Sequence, residues 1–301
     1  MAHADRIEQA LRSSFTPGQQ AGHPPRLAAA MQHAVFPGGA RIRPQLVLAV
    51  AHACGEDDAE LSDGAAAAIE LLHCASLVHD DLPCFDNAAT RRGRPSVQRA
   101  FGERLAVLAG DALIIAAYEV LGRSAHAHPS RLPGLLQTVC QGVGMPTGIV
   151  AGQAWECEPQ VSLRDYQQAK TGALFAAATM AGAQASGAEP GPWRALGQQL
   201  GQAYQVADDI RDVAFDAQAL GKPVGRDVAL DRPSVARELG LQGALDEFSR
   251  LIDATLATVP HCPGAARFRA LIQHEAQRLV PDTLVAALQR QRRVAVSALA
   301  T

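Results

Sequence analysis

Runs rich in Ala and Leu alternate along the chain with short breaks marked by Gly and Pro, while the strict apolar–polar alternation of half-buried strands is nearly absent. Aromatics are only 4% of residues, so the usual composition of strands is missing as well. Residues of high helix propensity fill the runs and predict helices over 4–14, 26–35, 41–54, 62–82, 98–121, 131–144, 147–156, 163–184, 192–214, 233–239, 241–257, 263–278 and 281–298. The breaks carry matching punctuation: TPGQQAGHPP, FPGG, Pro83, HPSRLPG, MPTG, EPGP, LGKPVG and PHCPG. None resembles an interdomain linker, and no fixed-period repeat is present. The pattern predicts one all-α domain over residues 1–301, a single large helical bundle. Its Ala-rich helices can approach closely around a central cavity.

Two stretches violate this pattern in an informative way. DDLPCFD at Asp80–Asp86 and DDIRD at Asp208–Asp212 are embedded in otherwise apolar helical sequence, SLVHDDL and AYQVADDIRDV. Burying an unpaired charge costs more than a hydrophobic contact returns. Two unit charges ~4 Å apart repel by about 4 kcal/mol at an effective dielectric of ~20, so clusters facing one cavity require cations between them. Gln205, Asp208, Asp209 and Asp212 fall at i, i+3, i+4 and i+7 and share one helix face. A solvated acidic face is the ordinary reading of such spacing, but Tyr204, Val206, Ala207, Ile210 and Val213 make this helix largely apolar. The first cluster begins at a helix end, with His73 two turns before it, and Pro83 leaves Asp86 in a loop. A helix C-terminus disfavours anions, so metal binding explains the placement better than stability does. Mg²⁺ suits hard oxygen ligands and commonly takes one or two carboxylates plus phosphate oxygens.

Cations at breaks complete this picture. Arg91, Arg92 and Arg94 follow the first cluster, Arg41 and Arg43 lie in FPGGARIRP, Lys170 in AKTGA and Lys222 in LGKPVGRD. Guanidinium forks match phosphate oxygens bidentately, and break positions suit a phosphate cradle. Net charge is −3 with a pI near 6.4, which leaves no global basic footprint for nucleic acid. The six cysteines show no metal-binding spacing and are expected to be reduced and mostly buried, in a cytoplasmic protein. The N-terminal segment is charged where a signal peptide is apolar, and no stretch reads as a membrane span.

The ordered set GG-x-R-x-RP, DDxxxxD followed by RRG, KTG, an aspartate-rich second cluster and GK resembles the trans-type isoprenyl diphosphate synthases, over residues 26 to 235. FPGGARIRP, LVHDDLPCFDNA, GQAWECEP and YQVADDIRD look most like the geranylgeranyl diphosphate synthases of photosynthetic bacteria, which feed carotenoid and bacteriochlorophyll synthesis. The resemblance implies the isoprenoid synthase fold, a homodimer, and condensation of isopentenyl diphosphate with allylic diphosphates. It implies Asp80, Asp86 and Asp208 as principal Mg²⁺ ligands, three ions by the family pattern, assisted by Asp81, Asp209 and Asp212. By the same carry-over Arg91, Lys170 and Lys222 hold the allylic diphosphate, while Arg43, His73 and Arg92 hold isopentenyl diphosphate. Thr171 and Gln205 place oxygens near the developing allylic cation. The resemblance also implies that Ala75 and Ser76, with Leu71 and Leu72 one turn below, set product length.

The chain departs from the family pattern at four places. Ala40 replaces a lysine expected to contact isopentenyl diphosphate, and the loss of one charge-assisted contact costs ~1.5–3 kcal/mol. Ala207 replaces a glutamine, Asn87 an aspartate, and Arg232 a substrate-binding lysine after the GK motif. The alternatives are a farnesyl diphosphate synthase, a non-catalytic regulatory subunit of the same fold, and a terpene cyclase. The retained clusters argue against a regulatory subunit, and Arg43, His73 and Arg92 argue against a cyclase. Several residues carry plainer expectations. Asp111 is read as a buried helix residue, His79 as locally paired, and Trp155 and Trp193 as packed in the core or at an interface. Arg290, Arg292 and Arg293 read as solvated charge or as cavity-closing cations.

Overall fold

A computed structural model describes residues 3–15, 23–36, 38–160, 162–214 and 235–281. In chain order these form α1 (His3–Phe15), α2 (Pro25–Val35), α3 (Ile42–Ala53), α4 (Ala59–Asp80), β1 (Thr90–Arg91), β2 (Arg94–Pro95), α5 (Val97–Phe101) and α6 (Glu103–Ser124). Then follow α7 (Leu132–Val143), α8 (Ile149–Ala154), α9 (Leu163–Gln167), α10 (Ala173–Ala185), α11 (Gly191–Ala214), α12 (Val235–Glu238), α13 (Gly240–Ala257) and α14 (Ala265–Leu279). The expected helix over 281–298, with Arg290, Arg292 and Arg293, lies outside the described residues apart from its first position.

Two helices sit at the centre. α4 packs on α6, α3 and α10, and α10 packs on α11, α3 and α7. In α10 every residue from Ala173 to Ala183 is buried, and its small side chains let the neighbouring backbones close in. α4 starts three residues earlier than the sequence indicated because Asp58 caps it, its carboxylate accepting from the Leu61 amide at 3.0 Å. One apolar core runs from Ile7 and Leu11 through Leu48, Leu71 and Leu72 to Leu174 and Phe268. A smaller cluster joins Val206 and Ile210 of α11 to Phe248 and Leu251 of α13. α4 and α6 are both long and apolar enough to cross a membrane by length and composition. α4 is a buried core helix, whereas α6 leaves Leu108 and Ile115 exposed.

Three local features differ from the expected pattern. The predicted helix 98–121 divides at Gly102, whose φ of +88° ends α5 and starts α6. The predicted helix 163–184 is interrupted by a π turn at Gln168–Gly172, which carries Lys170 and Thr171. The TRRGRP segment forms a two-stranded hairpin with Arg91 opposite Arg94, and its two turn residues, Arg92 and Gly93, have φ of +53° and +73°. Positive φ at both central positions matches the right-handed twist of a tight hairpin, and this turn presents Arg92. The thiols also differ: Cys74 is buried and Cys54 and Cys262 are partly so, but Cys84, Cys140 and Cys157 are exposed. Asp111 is exposed rather than buried, and Trp155 is exposed, while Trp193 packs in the core against Phe268.

Candidate active site

The first acidic cluster closes α4. Asp81 is its C-terminal cap and is buried, while Asp80 and Asp86 are partly exposed. The loop returns on itself: the Asp86 amide donates to the Asp80 carbonyl at 2.9 Å and the Ala88 amide to the Asp81 carbonyl at 3.1 Å. Gln98 and Ser96 pin it from α5 and its start, through Gln98 Nε2 to the Asp81 and Ala88 carbonyls and Ser96 Oγ to the Ala88 carbonyl. Neither residue was singled out in the sequence, where a glutamine in a helical run carries no signal. Arg91 reaches from the hairpin to Asp81, with Nε at 3.0 Å and Nη2 at 2.5 Å from Oδ1, and to Asp80 at 3.9 Å. Burial pulls the Arg91 pKa down, but the hydrogen bond and charge of Asp81 outweigh it, so the group is held above its ordinary value.

Beside this loop lies a second cationic group. Arg43 of α3 approaches His73 Nε2 of α4 at 3.3 Å, its guanidinium stands 4.7 Å from the Phe175 ring centroid, and its buried Nε has no hydrogen-bond partner. Burial lowers its pKa, with Tyr204, Glu70, Arg92 and Asp208 all within Coulombic reach. Burial and the charges of Arg43, Arg92, Arg91 and Arg41 hold His73 well below the ordinary imidazole value, so it is neutral at pH 7. Arg92 comes within 3.6 Å of Glu70.

Not every cation the sequence offered belongs to this group. Arg41 is buried, bound to Glu70 at 2.6 Å, to Glu8 at 2.9 Å and to the Val35 carbonyl at 2.9 Å. Arg94 donates to the Phe36 carbonyl at 2.6 Å and meets His33 Nδ1 at 2.8 Å. Both are framework rather than phosphate cradle. The paired glycines of FPGGARIRP have a steric reason: a Cβ at Gly38 would lie 2.1 Å from the Arg41 guanidinium carbon, and one at Gly39 would lie 2.9 Å from Arg92 Nε. Glu70 is the residue that sequence reading missed, because one glutamate in an apolar helix shows no partner until the fold supplies Arg41 and Arg92.

The second cluster lies on α11. Asp209 is buried; Gln205 Nε2 donates to its Oδ1 at 3.1 Å and the Val235 amide to its Oδ2 at 2.8 Å. Thr171 Oγ1 donates to Gln205 Oε1 at 3.2 Å. The Gln205 amide is therefore oriented at both ends. Asp208 accepts from Arg211 at 2.8 Å, and Arg211 also lies 5.9 Å from the Tyr204 ring. Asp208 and Asp212 are partly exposed. Charge links the two clusters: Arg91 interacts with Asp81, Asp80 and Asp86, His73 with Arg43 and Arg91, and Arg43 with Asp208. Lys170 pairs with Glu156 and lies 5.5 Å from the Tyr166 ring. Lys222 and Arg232 lie outside the described residues. His79 is packed over Gly110 and meets the Val107 carbonyl at 3.3 Å, as a locally paired residue should.

The donor set, carboxylates with no sulfur among them, has the chemistry of a hard divalent cation site. Among the described residues no three His, Cys, Asp or Glu side chains converge on one point. That suits an ion that takes a few carboxylates and completes its shell with phosphate oxygens and water.

The polyprenyl synthetase family pattern matches residues 24–266. The chain is 50% identical over 286 residues to the geranylgeranyl diphosphate synthase of Cereibacter sphaeroides, covering 95% of this chain and 99% of that one. It is 48% identical over 275 residues to the geranylgeranyl diphosphate synthase of Rhodobacter capsulatus, covering 91% and 95%. Among solved structures, a Helicobacter pylori geranyltransferase complexed with magnesium and isoprenyl diphosphate superposes with a TM-score of 0.79 at 28% identity, over 92% of this chain and 96% of that one.

Proposed function

The chain belongs to the polyprenyl synthetase family and is a trans-prenyltransferase; on that premise we propose that it joins isopentenyl diphosphate head-to-tail to allylic diphosphates, ending at geranylgeranyl diphosphate. The observation that carries this reading is Arg43: a guanidinium held on an aromatic face, with a buried Nε in want of an acceptor, beside a neutral imidazole and Arg92. Such a cation suits a second diphosphate, distinct from the one served by Arg91 and Lys170. A cyclase that ionises one substrate has no use for it.

Asp80, Asp86 and Asp208, with Asp81, Asp209 and Asp212, would hold Mg²⁺, the metal with which the Helicobacter pylori geranyltransferase is complexed. When bound, such ions neutralise charge developing on the departing diphosphate. The chain's own groups do the rest. Arg91 and Lys170, joined by Lys222, grip the allylic diphosphate; Arg43, His73 and Arg92 serve the isopentenyl side, and Arg232, outside the described residues, is a further substrate-binding cation. His73 contributes as a neutral hydrogen-bonding group, which avoids adding a further desolvated charge. Because Thr171 gives its hydroxyl proton to Gln205, its lone pairs remain available to a developing allylic cation. The proton lost at the end of the reaction passes to the released diphosphate, so no side-chain base is required.

We read the chain as a single domain acting as a homodimer. The exposed Leu108 and Ile115 on α6 offer an apolar face that a second copy would cover. Exposed unpaired thiols fit a reducing, cytoplasmic setting, and the photosynthetic relatives support a role in carotenoid synthesis. Incubating the purified protein with isopentenyl diphosphate, Mg²⁺ and each allylic diphosphate, followed by chain-length analysis, tests the proposal. Geranylgeranyl diphosphate as the main product supports it. Arrest at farnesyl diphosphate with excess isopentenyl diphosphate overturns the product assignment, and no condensation at all favours a regulatory subunit.

A further inference from the structure

Glu156 gathers donors from three directions. Tyr166 Oη donates to its Oε1 at 2.6 Å, Gln153 Nε2 to its Oε2 at 3.1 Å, and Lys170 Nζ to Oε1. Glu156 stands on the single 3₁₀ turn Trp155–Cys157 after α8, whereas Lys170 stands on the π turn. The two meet because α8 rests directly on the π-turn backbone. A Cβ at Gly152 would lie 2.4 Å from the Lys170 amide nitrogen, so only glycine permits that approach. The ammonium is bracketed between the Glu156 carboxylate and the face of Tyr166, 5.5 Å from the ring centroid. The Lys170 side chain is 21% exposed and that of Glu156 26%, so neither is simply solvated surface.

We propose that Glu156, braced by Tyr166 and Gln153, is a positioning residue that sets the Lys170 ammonium where the allylic diphosphate is received. This rests on the reading of Lys170 given above. A lysine is a compact charge on a flexible four-carbon stem, and a free stem must lose its rotameric freedom whenever it binds phosphate. Holding the stem in advance removes that cost from the binding step. An ammonium has three donor hydrogens; Glu156 engages one and leaves the others for phosphate oxygens. Glu156 also offsets part of the cationic charge on a side chain drawn partly out of water. The π turn contributes by lifting Lys170 off the regular helical register toward Glu156.

The test compares Glu156→Ala, Glu156→Gln, Tyr166→Phe, Lys170→Ala and the double variant Glu156→Ala/Lys170→Ala in the full-length enzyme. Steady-state constants are measured with farnesyl diphosphate and isopentenyl diphosphate varied in turn, together with melting temperature. Glu156→Ala is expected to raise KM for farnesyl diphosphate roughly ten-fold, leaving KM for isopentenyl diphosphate and the melting temperature near wild type. Glu156→Gln keeps an acceptor for both Lys170 and Tyr166 and should recover most of the loss; Tyr166→Phe should fall between. Lys170→Ala should raise the same constant, and adding Glu156→Ala to it should change nothing more, because the effect passes through the ammonium. The proposal is overturned if Glu156→Ala leaves KM for farnesyl diphosphate unchanged or lowers it. It is also overturned by an equal rise for both substrates, or by full additivity with Lys170→Ala. If Lys170→Ala leaves that constant unchanged, the reading of Lys170 itself fails, and a distinct variant reports that failure.

Discussion

Arg41 Nη1 lies 2.6 Å from Glu70 Oε1, with both side chains almost fully removed from solvent. Glu70 also draws Arg92 to 3.6 Å, so one carboxylate organises two guanidinia from different segments. Arg41 adopts a φ of +51° at the start of α3, a conformation unusual for a residue with a side chain. The pair, with Glu8 and the Val35 carbonyl, holds it there.

Removing Glu70 should therefore act on stability before it acts on catalysis. Glu70→Ala leaves a buried guanidinium with its main partner gone, and such breaks cost on the order of 3–5 kcal/mol. A denaturant titration should show a midpoint well below wild type. A midpoint near wild type would mean that Arg41 had found water or relied on Glu8.

Asp80→Ala and Asp208→Ala should each lower turnover by several orders of magnitude while the helical content is retained, because each is assigned to metal ions that activate the leaving group. Circular dichroism and a saturating-Mg²⁺ assay check both halves of the expectation. Turnover comparable to wild type in either variant would remove the metal assignment of that residue.

His73 links pH to stability with a definite sign. Its folded pKa lies well below the unfolded value of 6.5, because burial and four arginines disfavour the imidazolium. The native state thus binds fewer protons between the two pKa values, and stability rises with pH across that window. His73 stabilisation is present above pH 6.5 and is lost as pH falls toward the folded pKa. Melting temperatures of wild type and His73→Gln, measured from pH 7.5 down to 5, should converge as the pH falls. Parallel curves would assign the acid sensitivity to other groups.

Ala40 is exposed and its carbonyl accepts from Gln45 Nε2 at 2.9 Å. Arg41 is committed to Glu70, so it does not replace the lysine missing at position 40. Ala40→Lys should lower KM for isopentenyl diphosphate more than for the allylic substrate, by about ten- to a hundred-fold for one charge-assisted contact. An unchanged KM would show that the site is already saturated with cations.

Ala75 is buried on α4, with Leu71 and Leu72 fully buried about one turn below it. Ala75→Phe or Ala75→Tyr should shorten the main product to fifteen carbons, at a stability cost on the order of 1–3 kcal/mol from overpacking. Chain-length analysis decides the matter: an unshortened product in a folded variant would place the tunnel along other residues.

The sequence by itself determined the helical architecture and showed the two carboxylate clusters and the cations at the breaks beside them. Helix propensity is local, and two aspartate clusters set in or at the end of largely apolar helices weigh against an ordinary solvated face. Its boundaries failed where backbone geometry depends on tertiary contacts: Gly102 divided one helix, and a π turn lifted Lys170 and Thr171 out of another. Only the folded structure sorted the cations. Arg41 and Arg94 resemble Arg43 along the chain, yet their partners made the first two framework and left Arg43 with a buried Nε that has no acceptor. The partners of Glu70, Gln98 and Glu156 were hidden for the same reason. A hydrogen bond spanning tens of residues leaves no trace in local composition, because its energy depends on distance and desolvation that exist only after the helices have packed.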